Sequence, residues 1–203
     1  MIRLIDLLKE EIIKEELKQK QKIGYGKDHV VYDMLSDPSK VIKIAWGSDG
    51  NKYDPNSKLK QIELDPTHIE VFKKYPDLFA KVYKHNDRYA IIEKLNTKSI
   101  ISDQTEIFNI LSKLDIEDLD YFDEHNAIGR LFWLSKNRKG FFNNLLIEII
   151  KNDLYSKSPK LELYINFINR ILKSKLNKEK SNLDVIANNI GYDKEGRLKL
   201  LDF

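Results

Sequence analysis

The chain of 203 residues has no cysteine, which excludes disulfides, a thiolate nucleophile and a Cys-ligated zinc. A reducing compartment suits such a sequence, and a cytoplasmic location is the expectation. No apolar run is long enough to span a bilayer. The opening MIRLIDLLKEEIIKEELKQKQK is punctuated by charge where a signal peptide carries an unbroken apolar stretch. Neither a membrane nor a nucleic acid is expected as a partner. The 35 Lys and Arg against 32 Asp and Glu leave a formal charge of only +3, the mixed surface of a solvated protein rather than a basic footprint. His29, His68, His85 and His125 are scattered, with no H-E-x-x-H pattern, and neither G-x-x-x-x-G-K-[ST] nor G-x-S-x-G occurs. The acidic run from Asp115 to Asp120 reads as a hydrated helix end.

What is present is enough to fold. Hydrophobic residues make up 41% and charged residues 33%, a globular balance. Ile2, Ile5, Leu8, Ile12 and Leu17 recur at helical spacing, so residues 2–20 read as an amphipathic helix packing on its own domain. Short β-rich runs follow, KIGYG, HVVYDML and KVIKIAW, broken by Gly and by Ser36-Asp37-Pro38-Ser39. Asp65-Pro66 supplies an N-cap and a first-turn proline for a helix that Pro76 stops. Two further strands, LFAKVYK and RYAIIEKL, flank His85-Asn86-Asp87, giving five antiparallel strands with one inserted helix.

Beyond Leu95 the pattern turns helical. Helices are predicted from near Ser102, Asn126 and Lys139, and again from Ser158-Pro159, where Tyr164, Phe167, Ile168, Ile171 and Leu172 make an apolar face. At the end, residues 189–192 and 197–201 read as two strands joined by a turn at Asp193-Lys194-Glu195-Gly196. The division this suggests is a leading helix and β-sheet over 1–94 and a helical part with a closing hairpin over 95–203.

Taken one at a time, the glycines of Ile23-Gly24-Tyr25-Gly26 suit a plain hairpin and Lys43 suits a solvated strand position. Their order along the chain is more informative. LDVIANNIGYDKEGRLKLLDF has Asp184 five positions before Asn189, and Asn189 thirteen before Asp202, as in H-R-D-L-x-x-x-N followed by D-F-G. With the Gly-rich hairpin and Lys43 upstream, the chain resembles the protein-kinase-like family from about Lys22 to Phe203. The fold implied is α+β and two-lobed, with a five-stranded antiparallel N-lobe, a shortened helical C-lobe and a nucleotide cleft between them.

The resemblance implies an ATP- and Mg²⁺-dependent phosphotransferase acting on a hydroxyl of a protein or a small molecule. Asp184 would accept the hydroxyl proton, Lys43 would contact the α and β phosphates, and Gly24 and Gly26 would admit the backbone to the phosphates. Asn189 and Asp202 would be the magnesium ligands. Glu70, with Glu63 as fallback, would position Lys43. The run from Tyr89 through Glu93 and Leu95 is similar to the hinge that receives adenine, with Ile92 at its gatekeeper-like position.

Departures from the family pattern limit what it implies. His29 stands where a third glycine is usual, and Asn182 and Leu183 replace the His and Arg before the catalytic Asp. Ile186 occupies the place of a phosphate-directed lysine. The sequence reaches Phe203 without the D-F-G glycine, the activation segment, A-P-E or the helices that hold peptides, so a standard peptide platform is not expected. The competing expectation is a catalytically inactive pseudokinase, a binding or regulatory module whose short C-lobe a protein partner covers.

Overall fold

A computed structural model describes residues 22–25, 29–45, 66–86, 89–114, 116, 119, 124, 126–176, 183 and 185–201. The helix predicted over 2–20 lies outside them. The chain divides into two compact units, one comprising Met1–Pro76 with Ala80–Lys94 and the other Asp77–Phe79 with Leu95–Phe203.

The first unit is an antiparallel sheet with one helix. Its strands are β1 (Lys22–Tyr25), β2 (His29–Asp33), β3 (Lys40–Ala45), β4 (Val82–His85) and β5 (Tyr89–Glu93), in the order β1-β2-β3-β5-β4. β-Branched residues fill most of the buried positions of β2 and β3, whose period-2 alternation sends Val30, Ile42 and Ile44 into a core shared with Tyr89. The opposite face of β3 also buries Val41 and Ala45, leaving half-buried Lys43 between them.

The β2–β3 turn is fastened by Asp37. Its carboxylate accepts the Ser39 N–H at 3.0 Å and pairs with Lys40 at 2.7 Å. The bonds from Lys40 and Ser39 lower its pKa to about 2. Helix α1 (Pro66–Lys74) begins on its proline and buries Ile69 and Phe72, three residues apart on one face.

The run LFAKVYK, expected as one strand, is split in two by its pairing. Only Val82–His85 pairs with β5, while Phe79 forms a parallel bridge with Leu200 in the second unit, and Leu78 O accepts the Leu200 N–H at 2.7 Å. Backbone groups on either side of Ala80 and Lys81 thus find different partners, which ends one strand and starts another.

The second unit packs α2 (Ile100–Leu111), α3 (Ala127–Asn137), α4 (Phe141–Lys151), the short α5 (Leu154–Lys157), α6 (Pro159–Lys173) and the hairpin of β6 (Ile190–Tyr192) and β7 (Leu198–Leu200). Residues at helical spacing, Ile100, Asp103, Gln104, Ile107 and Leu111, form the buried face of α2. Tyr164, Phe167, Ile168 and Ile171 do the same for α6. Ser158 caps α6 by accepting the Leu161 N–H at 3.2 Å, with Pro159 as the first helical residue. Helix α5 was not predicted; at four residues it is too short for a helical period to show, and it follows Asp153, which has φ 51°. No helix among the described residues is long and apolar enough to cross a membrane.

Candidate functional site

The closing hairpin is built around Asp193. Its Oδ1 accepts the N–H groups of Glu195 at 3.0 Å and Arg197 at 2.9 Å, and its Oδ2 lies 2.7 Å from the Arg197 guanidinium and 3.5 Å from Lys199 Nζ. Burial works to raise its pKa, but the Arg197 bonds and the two cations outweigh it, so the carboxyl is held below its ordinary range. Gly196 completes the turn at φ +77°, a left-handed conformation that glycine adopts without strain.

This turn sets the register Ile190↔Leu200, Gly191↔Lys199 and Tyr192↔Leu198. One step outside the ladder, the Asn189 carbonyl accepts the Leu201 N–H at 2.8 Å. Half-buried Asn189 therefore lies beside the residue that immediately precedes Asp202 in the chain. Asp202 itself and Asp184 lie outside the described residues. An amide oxygen and a carboxylate are hard donors, the chemistry that magnesium prefers, so these residue types fit that ion.

Four anchors hold the hairpin in the second unit, the Leu78–Leu200 backbone bond among them. Tyr192 and Asn96 exchange backbone bonds of 2.8 and 2.9 Å. The Arg170 guanidinium donates to the Leu198 carbonyl at 3.2 Å and the Asp77 carbonyl at 3.1 Å. The fourth anchor is a side chain of the hairpin itself: Tyr192 OH donates to Asp103 Oδ2 at 2.7 Å. Asp103 is fully buried, and it also receives Tyr164 OH at 3.2 Å and pairs with Lys160 at 2.6 Å. Burial raises the pKa of both phenols, and the neighbouring carboxylate adds to the effect, so they remain protonated donors. At the rim of this cluster, Ser158 Oγ donates to Glu106, whose other carboxylate oxygen lies 3.5 Å from Lys160.

Two glycines let neighbouring segments approach this hairpin and the loop before it. Leu95 is buried against Gly191, where an added Cβ would lie 2.6 Å from Leu95 Cβ. On α3, a Cβ at Gly129 would lie 3.0 Å from the Val185 carbonyl and 2.3 Å from Asn126 Oδ1. Neither glycine, nor the Asp103 cluster, was singled out from the sequence. Four residues spread from Asp103 to Tyr192 leave no local motif.

In the first unit, Gly24, Val31, Lys43 and Ala90 form one cross-strand row over β1, β2, β3 and β5. Two strand spacings put the Gly24 and Lys43 backbones about 10 Å apart. Gly26 lies outside the described residues, as does Glu63. Glu70 projects from the exposed side of α1, with its carboxylate 3.2 Å from Lys73 Nζ. Glu93 is buried, and its carboxylate accepts the Lys81 N–H at 3.1 Å, while Ile92 beside it is buried in β5. The structure thus joins Gly24 to Lys43 by sheet register in one unit, and Asn189 to Leu201 and Leu95 to Gly191 in the other.

No protein-family model matches the chain, and no curated protein matches it. Among solved structures it is similar to the ternary complex of APH(2″)-IIa with streptomycin and ATP. The match has 16% identity and a TM-score of 0.33, over 100% of this chain and 71% of that one. A superposition so loose identifies neither fold nor activity.

Proposed function

We propose that this chain is a phosphotransferase of protein-kinase-like fold, using ATP and Mg²⁺ and acting on a hydroxyl of a protein or a small molecule. The observation that carries this reading is the 2.8 Å bond between Asn189 O and Leu201 N, which supports Asn189 and Asp202 as neighbouring oxygen donors for one metal ion. Asp184 orients the acceptor hydroxyl and takes its proton as the hydroxyl oxygen bonds to the γ-phosphorus. The bond from that phosphorus to the bridging oxygen breaks, and ADP leaves. Lys43 contributes a point charge to the α and β phosphates, with the backbone at Gly24 and Gly26 approaching them. Magnesium, when bound, neutralises phosphate charge; Asn189 and Asp202 would hold it. Leu95 and the chain at Glu93 receive the adenine.

The test is Mg²⁺-dependent ATP binding and phosphate transfer by the wild type against Lys43→Ala, Asp184→Asn and Asp202→Asn proteins of matched folding. Asp184→Asn is expected to slow transfer by on the order of 10²-fold or more, Lys43→Ala to weaken nucleotide binding, and Asp202→Asn to weaken metal use. Unchanged turnover in both aspartate variants would sink these roles.

A second reading, a pseudokinase that binds nucleotide or a protein partner without turnover, is favoured by Asn182 and Leu183 standing where the family pattern has His and Arg before the catalytic Asp. ATP binding without transfer would select it.

A further inference from the structure

The hairpin that carries the candidate metal ligands has only three residues in each strand, and a two-stranded ribbon of that size does not hold its own position in water. Its backbone anchors to Asn96 and Leu78 fix its position along the strands. Two side-chain bonds tie it to helices of the core among the described residues: Arg170 on the Leu198 carbonyl of β7, and the Tyr192 phenol of β6, the strand that follows Asn189, on Asp103.

That bond is costly to build. Asp103 is fully buried in the first turn of α2, and a buried ionised carboxylate stabilises a fold only when each partner is in place; an apolar cluster of similar volume often does as well or better. What the charged arrangement adds is geometry. A short O–H···O⁻ bond at 2.7 Å constrains direction as well as distance. Lys160 and Tyr164 hold the carboxylate from α6, so Tyr192 is tied to a point that two helices define. Tyr192 follows Asn189 by three residues, about 10 Å of extended chain.

We infer that the Asp103–Tyr192 hydrogen bond is a positioning device for magnesium, holding β6 so that Asn189, at its start and beside Leu201, is set in place as a ligand. Asp103 and Tyr192 are positioning residues: neither touches the metal or the nucleotide. The inference rests on the phosphotransferase reading above.

The experiment titrates Mg²⁺ into the full chain with ATP, follows ATP binding calorimetrically, repeats the binding in EDTA, and records thermal unfolding. Tyr192→Phe removes one hydroxyl and leaves Asp103 satisfied by Lys160 and Tyr164, so the fold is retained. Its half-saturating Mg²⁺ concentration is expected to rise about tenfold, with ATP binding in EDTA unchanged. Tyr164→Phe removes the other phenol from the same carboxylate, and its contact with the Tyr192 hydroxyl, but keeps the Tyr192–Asp103 bond, and is expected to stay within about twofold of wild type. A Tyr192→Phe protein with lower thermal stability and an unaltered Mg²⁺ requirement would overturn the inference and leave the phosphotransferase reading intact, as would equal shifts in the two variants. Wild-type ATP binding indifferent to Mg²⁺ would end both.

Discussion

Gly191 faces Leu95 so closely that a Cβ on the glycine would sit 2.6 Å from the leucine Cβ. Both atoms are attached directly to backbone, so no rotamer change relieves the overlap. Gly191→Ala is therefore expected to push β6 away from Asn96 and lower stability by about 2 kcal/mol. Urea unfolding against wild type measures it, and an equal midpoint would show that the two segments separate freely.

Gly129→Ala divides stability from function. Alanine favours the helix by about 1 kcal/mol over glycine, while its Cβ would press on the Val185 carbonyl at 3.0 Å and on Asn126, a side chain free to turn. Net stability should change little. Val185 follows Asp184, so phosphate transfer should fall by on the order of tenfold or more through misplacement of that carboxylate. Paired calorimetry and turnover measurements check the split.

The hairpin should weaken in acid. Asp193 has a lower pKa folded than unfolded, so on acidification the unfolded chain takes up the proton first. Its contribution is complete above about pH 4 and is lost as pH falls through the lower folded value. Asp193→Asn should cost about 2 kcal/mol at neutral pH, and the gap from wild type should narrow near pH 3. Urea unfolding at both pH values tests this; a constant gap would mean that the charge contributes nothing.

Ser158→Ala removes the acceptor for the Leu161 N–H and the donor to Glu106. A loss of about 1 kcal/mol is expected. Ser158→Thr, which keeps the oxygen, should recover most of it in the same denaturant titration.

Local signals carried much of the architecture. Pro66 and Pro159 mark the first residues of their helices because an N1 proline gives up no hydrogen bond. The Asp193 to Gly196 turn was legible because its residue types suit its backbone. Of the candidate site, the hairpin between Asn189 and Leu201 was legible from its spacing, and the Asn189–Leu201 bond closes it, while Asp184 and Asp202 lie outside the described residues. Glu70 shows the limit, since a helix position midway to a proline does not say which way the carboxylate turns, and here it turns to Lys73. The Asp103 cluster was hidden because hydrophobic periodicity treats Asp103 as a solvent position. Only the convergence of Lys160, Tyr164 and Tyr192 makes its burial affordable.

Residues 77–79 have a consequence for anyone dissecting the protein. The polypeptide crosses from one unit to the other at Pro76, again at Phe79 and a third time at Lys94. No single cut yields two self-sufficient pieces. A fragment starting at Leu95 would leave the Leu200 amide without Leu78 and half of the Arg170 grip without Asp77, so the helical half should be expressed with that tripeptide restored or not at all.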